Sequence, residues 1–250
     1  MLLKNQDMKL TVKHYYSFGK RAKEVGDNLI SENSWDVVRI DDENLNTPFS
    51  IPPKREDWIK KCISNERMLK RAEDINKFIK RKNFKKIISF GAGACFMEYN
   101  LKHQNSDIVL ECSDFNPKGV LRLKEIFTEA TISMFDMLHG EWKNEKGVLY
   151  LFHRIDTDFS DAEWKYIFKK MYEAGIDNIL FVPCNIDTYR SLFKIQLSKW
   201  YQIIIKKNKL SFAGYLRTKD AFRSLFLNFY NLSEELNIND LTGFFLTIKK

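Results

Sequence analysis

Two glycines at alternate positions, Gly91 and Gly93, follow the apolar run Lys86-Ile87-Ile88-Ser89-Phe90. A carboxylate, Asp114, closes the next apolar run, Ile108-Val109-Leu110-Glu111-Cys112-Ser113. Glycines so placed let the backbone approach a ligand with no Cβ in the way. A carboxylate at the end of the second strand can accept two hydrogen bonds from a ribose diol. The chemistry indicated is nucleoside binding. Asp136, after the run at 131–135, either reads an exocyclic amine or caps the next helix. A fourth run, 147–152, delivers His153, Arg154 and Asp156. Histidine is the usual general base near neutral pH, with Asp156 either orienting it or binding substrate. In the plainer reading His153 only closes the strand and Arg154 pairs with Asp156 or Asp158.

The elements that must hold these residues alternate along the chain. Met68, Leu69, Ala72, Ile75, Phe78 and Ile79 recur at helical spacing behind Ser64 or Asn65 as a cap and end in Lys80-Arg81-Lys82, charges that suit a helix C-terminus. Pro52-Pro53 suits the first turn of an earlier helix. Asn116 and Pro117 can start a helix after Asp114, and Ser160-Asp161-Ala162-Glu163 is a capping box. A fifth apolar run spans 177–182. Strands alternating with helices predict a doubly wound, mostly parallel α/β sheet. Two strand-like runs, 229–236 and 241–248, flank Asn237-Ile238-Asn239-Asp240 and predict a closing antiparallel hairpin.

The pattern resembles the class I S-adenosylmethionine-dependent methyltransferases over roughly residues 84 to 250. The first motif of that family, a strand followed by GxGxG, corresponds to Ile87 through Cys95. Ser89 stands where the family has an acidic residue, and Cys95 replaces the third glycine. The resemblance implies a seven-stranded Rossmann-like sheet that binds S-adenosylmethionine (SAM). It implies cofactor contacts at Ser89, Gly91, Ala92, Gly93, Asp114, Phe115, Asp136 and Met137. His153 and Asp156 are then the catalytic candidates, and Arg154, Tyr215 and Arg217 the substrate-side ones. A dehydrogenase is the poorer match, because GxGxxG would need glycine at Phe96, although Tyr166 and Lys170 have YxxxK spacing. No Asn-Pro-Pro-Tyr type motif follows the fourth strand, which argues against base N-methylation.

Residues 1–82 are expected to form an N-terminal helical extension, and 83–250 the SAM-binding domain with 185–217 as a substrate-side insertion. Tyr15 and Tyr16 either pack an N-terminal helix onto the body or form a lid over a ligand. Within the insertion, Phe193, Leu197, Trp200 and Ile204 follow helical spacing among lysines. The simpler expectation is a core-packing helix; the other is a basic amphipathic helix meeting an anionic acceptor or a membrane surface. The chain has 250 residues and a formal charge of +8, which suits anionic partners. Four widely spaced cysteines without a CxxC pair indicate neither a disulfide framework nor a zinc site. With an N-terminus that turns polar early and no apolar run of membrane-spanning length, a cytoplasmic location is expected. The activity expected is methyl transfer to a hydroxyl of a small polar acceptor such as a sugar, nucleotide-sugar or glycan. RNA methylation and a non-enzymatic SAM-binding or scaffold role are the alternatives.

Overall fold

The computed structural model describes residues 9–17, 25–40, 42, 49–184 and 188–250. Parts of the expected N-terminal extension (1–8, 18–24, 41 and 43–48) and the start of the expected insertion (185–187) lie outside them. The described chain opens with β1 (Thr11–Tyr16) and α1 (Glu32–Arg39), then α2 (Arg55–Ser64) and α3 (Glu66–Lys82). Alternation follows through β2 (Lys86–Phe90), α4 (Phe96–Gln104), β3 (Val109–Asp114), α5 (Pro117–Ile126) and β4 (Thr131–Met134). It continues with β5 (Val148–His153), α6 (Asp161–Glu173) and β6 (Ile179–Val182). The chain closes with α7 (Tyr189–Ile204), β7 (Ser211–Arg217), α8 (Lys219–Phe226), β8 (Tyr230–Ile238) and β9 (Leu241–Ile248).

Burial on both faces decides how the sheet is covered. In β5, Leu149 and Leu151 face a core shared with Trp58, Ile75, Phe96 and Val120 from helices α2 to α5. Val148, Tyr150 and Phe152 face the other side, against Trp164 and Phe168 of α6 and Phe222 and Phe226 of α8. From Val148 to Phe152 the strand carries only apolar and aromatic side chains, because neither face meets water. The sheet order is β4-β3-β2-β5-β6-β9-β8. Strands β2 to β6 pair in parallel, and β9 runs antiparallel to both β6 and β8. This is the expected mostly parallel seven-stranded sheet with its C-terminal hairpin. The hairpin turn is tighter than expected, just Asn239-Asp240, with Asn239 at φ 54°, a left-handed position that asparagine tolerates.

The helix starts follow local chemistry. The Asn65 side chain accepts from Met68 N–H at 3.3 Å and that of Asn116 from Gly119 N–H at 2.7 Å. Ser160 and Glu163 form the reciprocal capping box. The helix after Pro52-Pro53 begins only at Arg55.

Three expectations are corrected. Residues 11–16 are a strand, so the N-terminal region is not purely helical. β1 pairs antiparallel with β7, from Thr11 opposite Arg217 to Tyr16 opposite Ser211. A single short run of Thr, Val and Tyr shows its strand character only beside a partner some 200 residues away in sequence. Second, α2 and α3 are integral to the main core: Trp58, Cys62, Ile75, Phe78 and Ile79 are buried with the strands. Third, α7 exists but its apolar face does not join the core. Within it Leu192 is buried, whereas Phe193 is 65% and Trp200 63% exposed. No helix among the described residues is long and apolar enough to cross a membrane.

Trp58 is fully buried, donates from Nε1 to Ala94 O at 3.0 Å, and packs edge-on to Tyr99. Trp58→Ala is expected to lower unfolding stability by about 4 kcal/mol in a urea titration. A loss below about 1 kcal/mol would show that the N-terminal helices fold independently of the sheet.

Candidate functional site

The carboxyl ends of the parallel strands open into a cleft of about 1130 Å³. Ligands of open α/β sheets bind on this rim. The glycine loop after β2, Asp114 and Phe115 at the end of β3, and His153, Arg154, Ile155, Thr157 and Asp158 at the end of β5 form its floor. The β1–β7 pair and the segment around α1 form a second wall, through His14, Tyr16, Trp35, Arg39 and Leu216.

The glycine loop is tied to the neighbouring strand. Gly93 N–H donates to Asp114 Oδ2 at 2.8 Å, and Asn116 N–H donates to Oδ1 at 3.0 Å. Gly91 and Gly93 both have left-handed φ, 61° and 58°. A Cβ on Gly91 would fall 1.8 Å from Ile155 Cδ1, and one on Gly93 would fall 2.6 Å from Arg39 Nη2. Cys95 keeps φ at 55°, holding without a glycine the left-handed conformation that the third glycine would adopt freely.

Ser89 does not reach the ligand space with a charge; it donates from Oγ to Glu98 Oε1 at 2.8 Å. Glu98, in the first turn of α4, lines the cleft and supplies the carboxyl absent at residue 89. Burial pushes its pKa up to about 7. Across the loop, the Arg39 guanidinium stacks on Trp35 at 4.4 Å and donates from Nη1 to Phe49 O at 3.1 Å. Burial lowers its pKa, while Asp114 and Asp158 act in the opposite direction.

His153, Arg154 and Asp158 line the cleft; Asp156 does not. The imidazole Nε2 of His153 is shielded from solvent and has no hydrogen-bond partner among the described residues. Burial, and then the guanidinium groups of Arg154 and Arg71, hold its pKa well below the ordinary histidine range. Arg71 pairs with Asp240 of the hairpin turn, Nη2 to Oδ1 at 2.8 Å. Arg154 lies at φ 59°, exposed at the strand end.

Besides Ser89, which is fully buried and does not line the cleft, five expected site residues lie elsewhere. Asp136 caps the turn that follows it, accepting from Leu138 and His139 N–H, and Met137 is buried beside Trp142. Neither lines the cleft. Asp156 does not orient His153: its Oδ1 accepts from Cys184 N–H at 2.6 Å. Arg217 is 1% exposed, and its donors are taken by Asp161 Oδ1 and by the carbonyls of Asp156 and Phe159. A guanidinium so buried and engaged is a staple, and it does not line the cleft. Tyr215 packs on Phe212, with its ring outside the cleft. Tyr166 is half exposed on α6, and Lys170 bonds the Leu138 and Gly140 carbonyls, so the YxxxK spacing builds no site.

Comparison with solved structures gives the fold a name. The mitomycin 7-O-methyltransferase MmcR aligns at TM-score 0.59 and 13% identity, over 86% of this chain and 60% of that one. Human N-acetylserotonin methyltransferase in complex with SAM aligns at 0.55 and 11%, over 92% and 64%. PigF with SAH aligns at 0.53 and 10%, over 83% and 72%. The chain has the class I methyltransferase fold. It spans less than two thirds of the length of the first two proteins. No family model and no curated protein matches its sequence.

Within the methyltransferase fold, sequence reasoning missed Arg39, Glu98 and Asp158. Glu98 carried a faint signal as an acid in a helix first turn, where the dipole alone would justify it. Asp158, pushed up to about 7 by burial, sits two residues beyond the aspartate that was expected. Arg39 had no signal, because only tertiary packing brings α1 over the glycine loop.

A carboxyl whose folded pKa is raised keeps a proton that the unfolded chain releases, so stability falls as pH rises through that window. For Glu98 the window runs from about 4.5 to about 7, and the loss is roughly 3 kcal/mol. Glu98→Gln keeps an acceptor for Ser89 and removes the titration. Urea unfolding at pH 5 and pH 8 should show a pH-dependent loss smaller by about that amount in the variant. His153 works in the opposite direction but equally in both proteins. An unchanged pH dependence would rule out Glu98 as the buried acid.

Proposed function

We propose that the chain is a SAM-dependent methyltransferase acting on a hydroxyl oxygen of a small acceptor. The observation that carries this reading is the Asp114 carboxylate, aligned by Gly93 N–H on the glycine rim of this fold. When bound, SAM supplies an electrophilic methyl group on a sulfonium.

The residues present suit that cofactor. Asp114 offers its carboxylate to a ribose diol, a charge-assisted contact. The amino-acid end of SAM is a zwitterion, and the loop is bracketed by the Glu98 carboxyl, which a bound ammonium would draw into its charged form, and by the Arg39 guanidinium for the carboxylate. Phe115 offers an apolar surface beside Asp114 for the base. The cleft volume exceeds the range of roughly 300–1,000 Å³ of ordinary small-molecule pockets, leaving room for a second ligand.

Methyl transfer depends mainly on in-line positioning, while a hydroxyl acceptor must also lose its proton. His153 is the group for that: it lines the cleft, and a neutral imidazole can accept the proton as the oxygen gains its methyl carbon. Because its pKa is depressed, the ring stays neutral below the ordinary histidine range. Arg154 is placed to meet an anionic group of the acceptor. Ser64, Asn65, Glu66 and Arg67 form a polar part of the remaining wall, and Tyr16, Leu29, Ile30, Met68, Ile195 and Leu216 an apolar part. The apolar part suits an acceptor with an apolar body beside its hydroxyl.

Calorimetric titration with SAM and S-adenosylhomocysteine tests the reading directly. Wild type should bind both, and Asp114→Ala should bind roughly 10- to 100-fold more weakly, the usual worth of a hydrogen bond to a charged group. Absence of binding to wild type would overturn the proposal. Once an acceptor is found, His153→Ala should lower kcat about 100-fold or more while cofactor affinity is retained. Turnover of wild type should stay level as pH falls through 6.5; a loss there would show an imidazole of ordinary basicity.

A further inference from the structure

We infer that α7 and the turn after it dock this chain on an anionic phospholipid surface. The inference rests on surface chemistry alone and is independent of the proposed activity. At 100° per residue, Tyr189, Phe193, Leu197, Trp200 and Ile204 fall within an arc of about 80° on one helix face. All five are exposed, as are Tyr201, Ile203 and Ile205 beside them. Leu192 and Ile195, on another side, are the residues that meet the body of the chain, Ile195 as part of the cleft wall. An apolar face of this extent left in water is the mark of an interaction site.

Charge identifies the occupant. From residue 188 to residue 219 there is no Asp or Glu, while Arg190, Lys194, Lys199, Lys206, Lys207, Lys209, Arg217 and Lys219 are all cationic. Lys199 is spent over the Tyr15 ring at 3.6 Å, Lys209 pairs with Asp27 at 2.9 Å, and Arg217 is buried. Arg190, Lys194, Lys206 and Lys207 remain exposed, with no acidic partner among the described residues. Arg190 and Lys194 border one side of the apolar arc, and Lys206 and Lys207 follow its end. Apolar and tryptophan side chains bordered by unpaired cations match an interfacial helix lying on anionic headgroups. A second copy of this chain would bring the same unpaired cations against each other. RNA would match the charge but would leave the isoleucines, Leu197 and Phe193 without apolar contact.

Co-sedimentation of the full chain with vesicles tests this. The chain should partition to phosphatidylcholine vesicles containing phosphatidylglycerol, and at high salt it should partition less. It should bind phosphatidylcholine alone at least tenfold more weakly. Lys206→Gln with Lys207→Gln should weaken partition roughly tenfold or more, since each basic residue near such a surface is worth about fivefold. Phe193→Ser with Trp200→Ser should abolish it with the melting temperature unchanged, because neither side chain supports the core. No partition to anionic vesicles, or equal partition to neutral ones, overturns the inference. A dimer dissolved by the Phe193/Trp200 variant, without vesicle binding, assigns the face to a second copy instead.

Discussion

The 2.8 Å hydrogen bond from Gly93 N–H to Asp114 ties the glycine loop to the end of the neighbouring strand, beside the bond from Ala92 N–H to Ser113 O at 3.0 Å. β2 lies between β3 and β5, so the segments leaving its carboxyl end have neighbours on both sides. The loop must turn sharply while leaving its floor open. Left-handed backbone at Gly91, Gly93 and Cys95 makes the turn, and the Asp114 carboxylate stops it from relaxing. The same carboxylate also receives Asn116 N–H, which sets the entry to α5. One side chain thus positions the floor of the cleft and the helix beside it.

The opposite wall depends on a second anchor, Asp161 at the start of α6. Its carboxylate accepts from Thr11 Oγ1 of β1 and from Arg217 Nε of β7. Arg217 also reaches back to the Asp156 and Phe159 carbonyls. Gly214, whose Cβ would come within 2.2 Å of Thr157 O, lets β7 pass close over the loop after β5. Chain ends far apart in sequence are fastened to the rim at one point. A buried guanidinium is tolerable there because its hydrogens are shared among oxygens that need donors.

The distribution of charge inside the cleft follows from what is paired. Arg71 is satisfied by Asp240, and Arg39 by the Phe49 carbonyl, the Trp35 face and the fields of Asp114 and Asp158. Glu98 and Asp158 meet burial by holding protons up to about pH 7. His153 meets it by staying neutral. Titratable groups driven in opposite directions within one cleft are characteristic of functional sites.

Local chemistry determined much of this protein from its sequence: the alternation of buried strands and helices, the caps at Asn65, Asn116 and Ser160, the glycine loop, and Asp114. These are contacts between near neighbours or consequences of periodicity, so the chain order carries them. Tertiary structure alone decided the rest. It turned Arg217 from a substrate clamp into a staple, put Asp158 rather than Asp156 on the cleft, and removed Asp136 and Met137 from it. It brought Arg39 over the glycine loop, placed Glu98 behind Ser89, and left the apolar face of α7 in solvent. Each of these depends on which distant segment a side chain meets, and side-chain spacing along a chain holds no record of that.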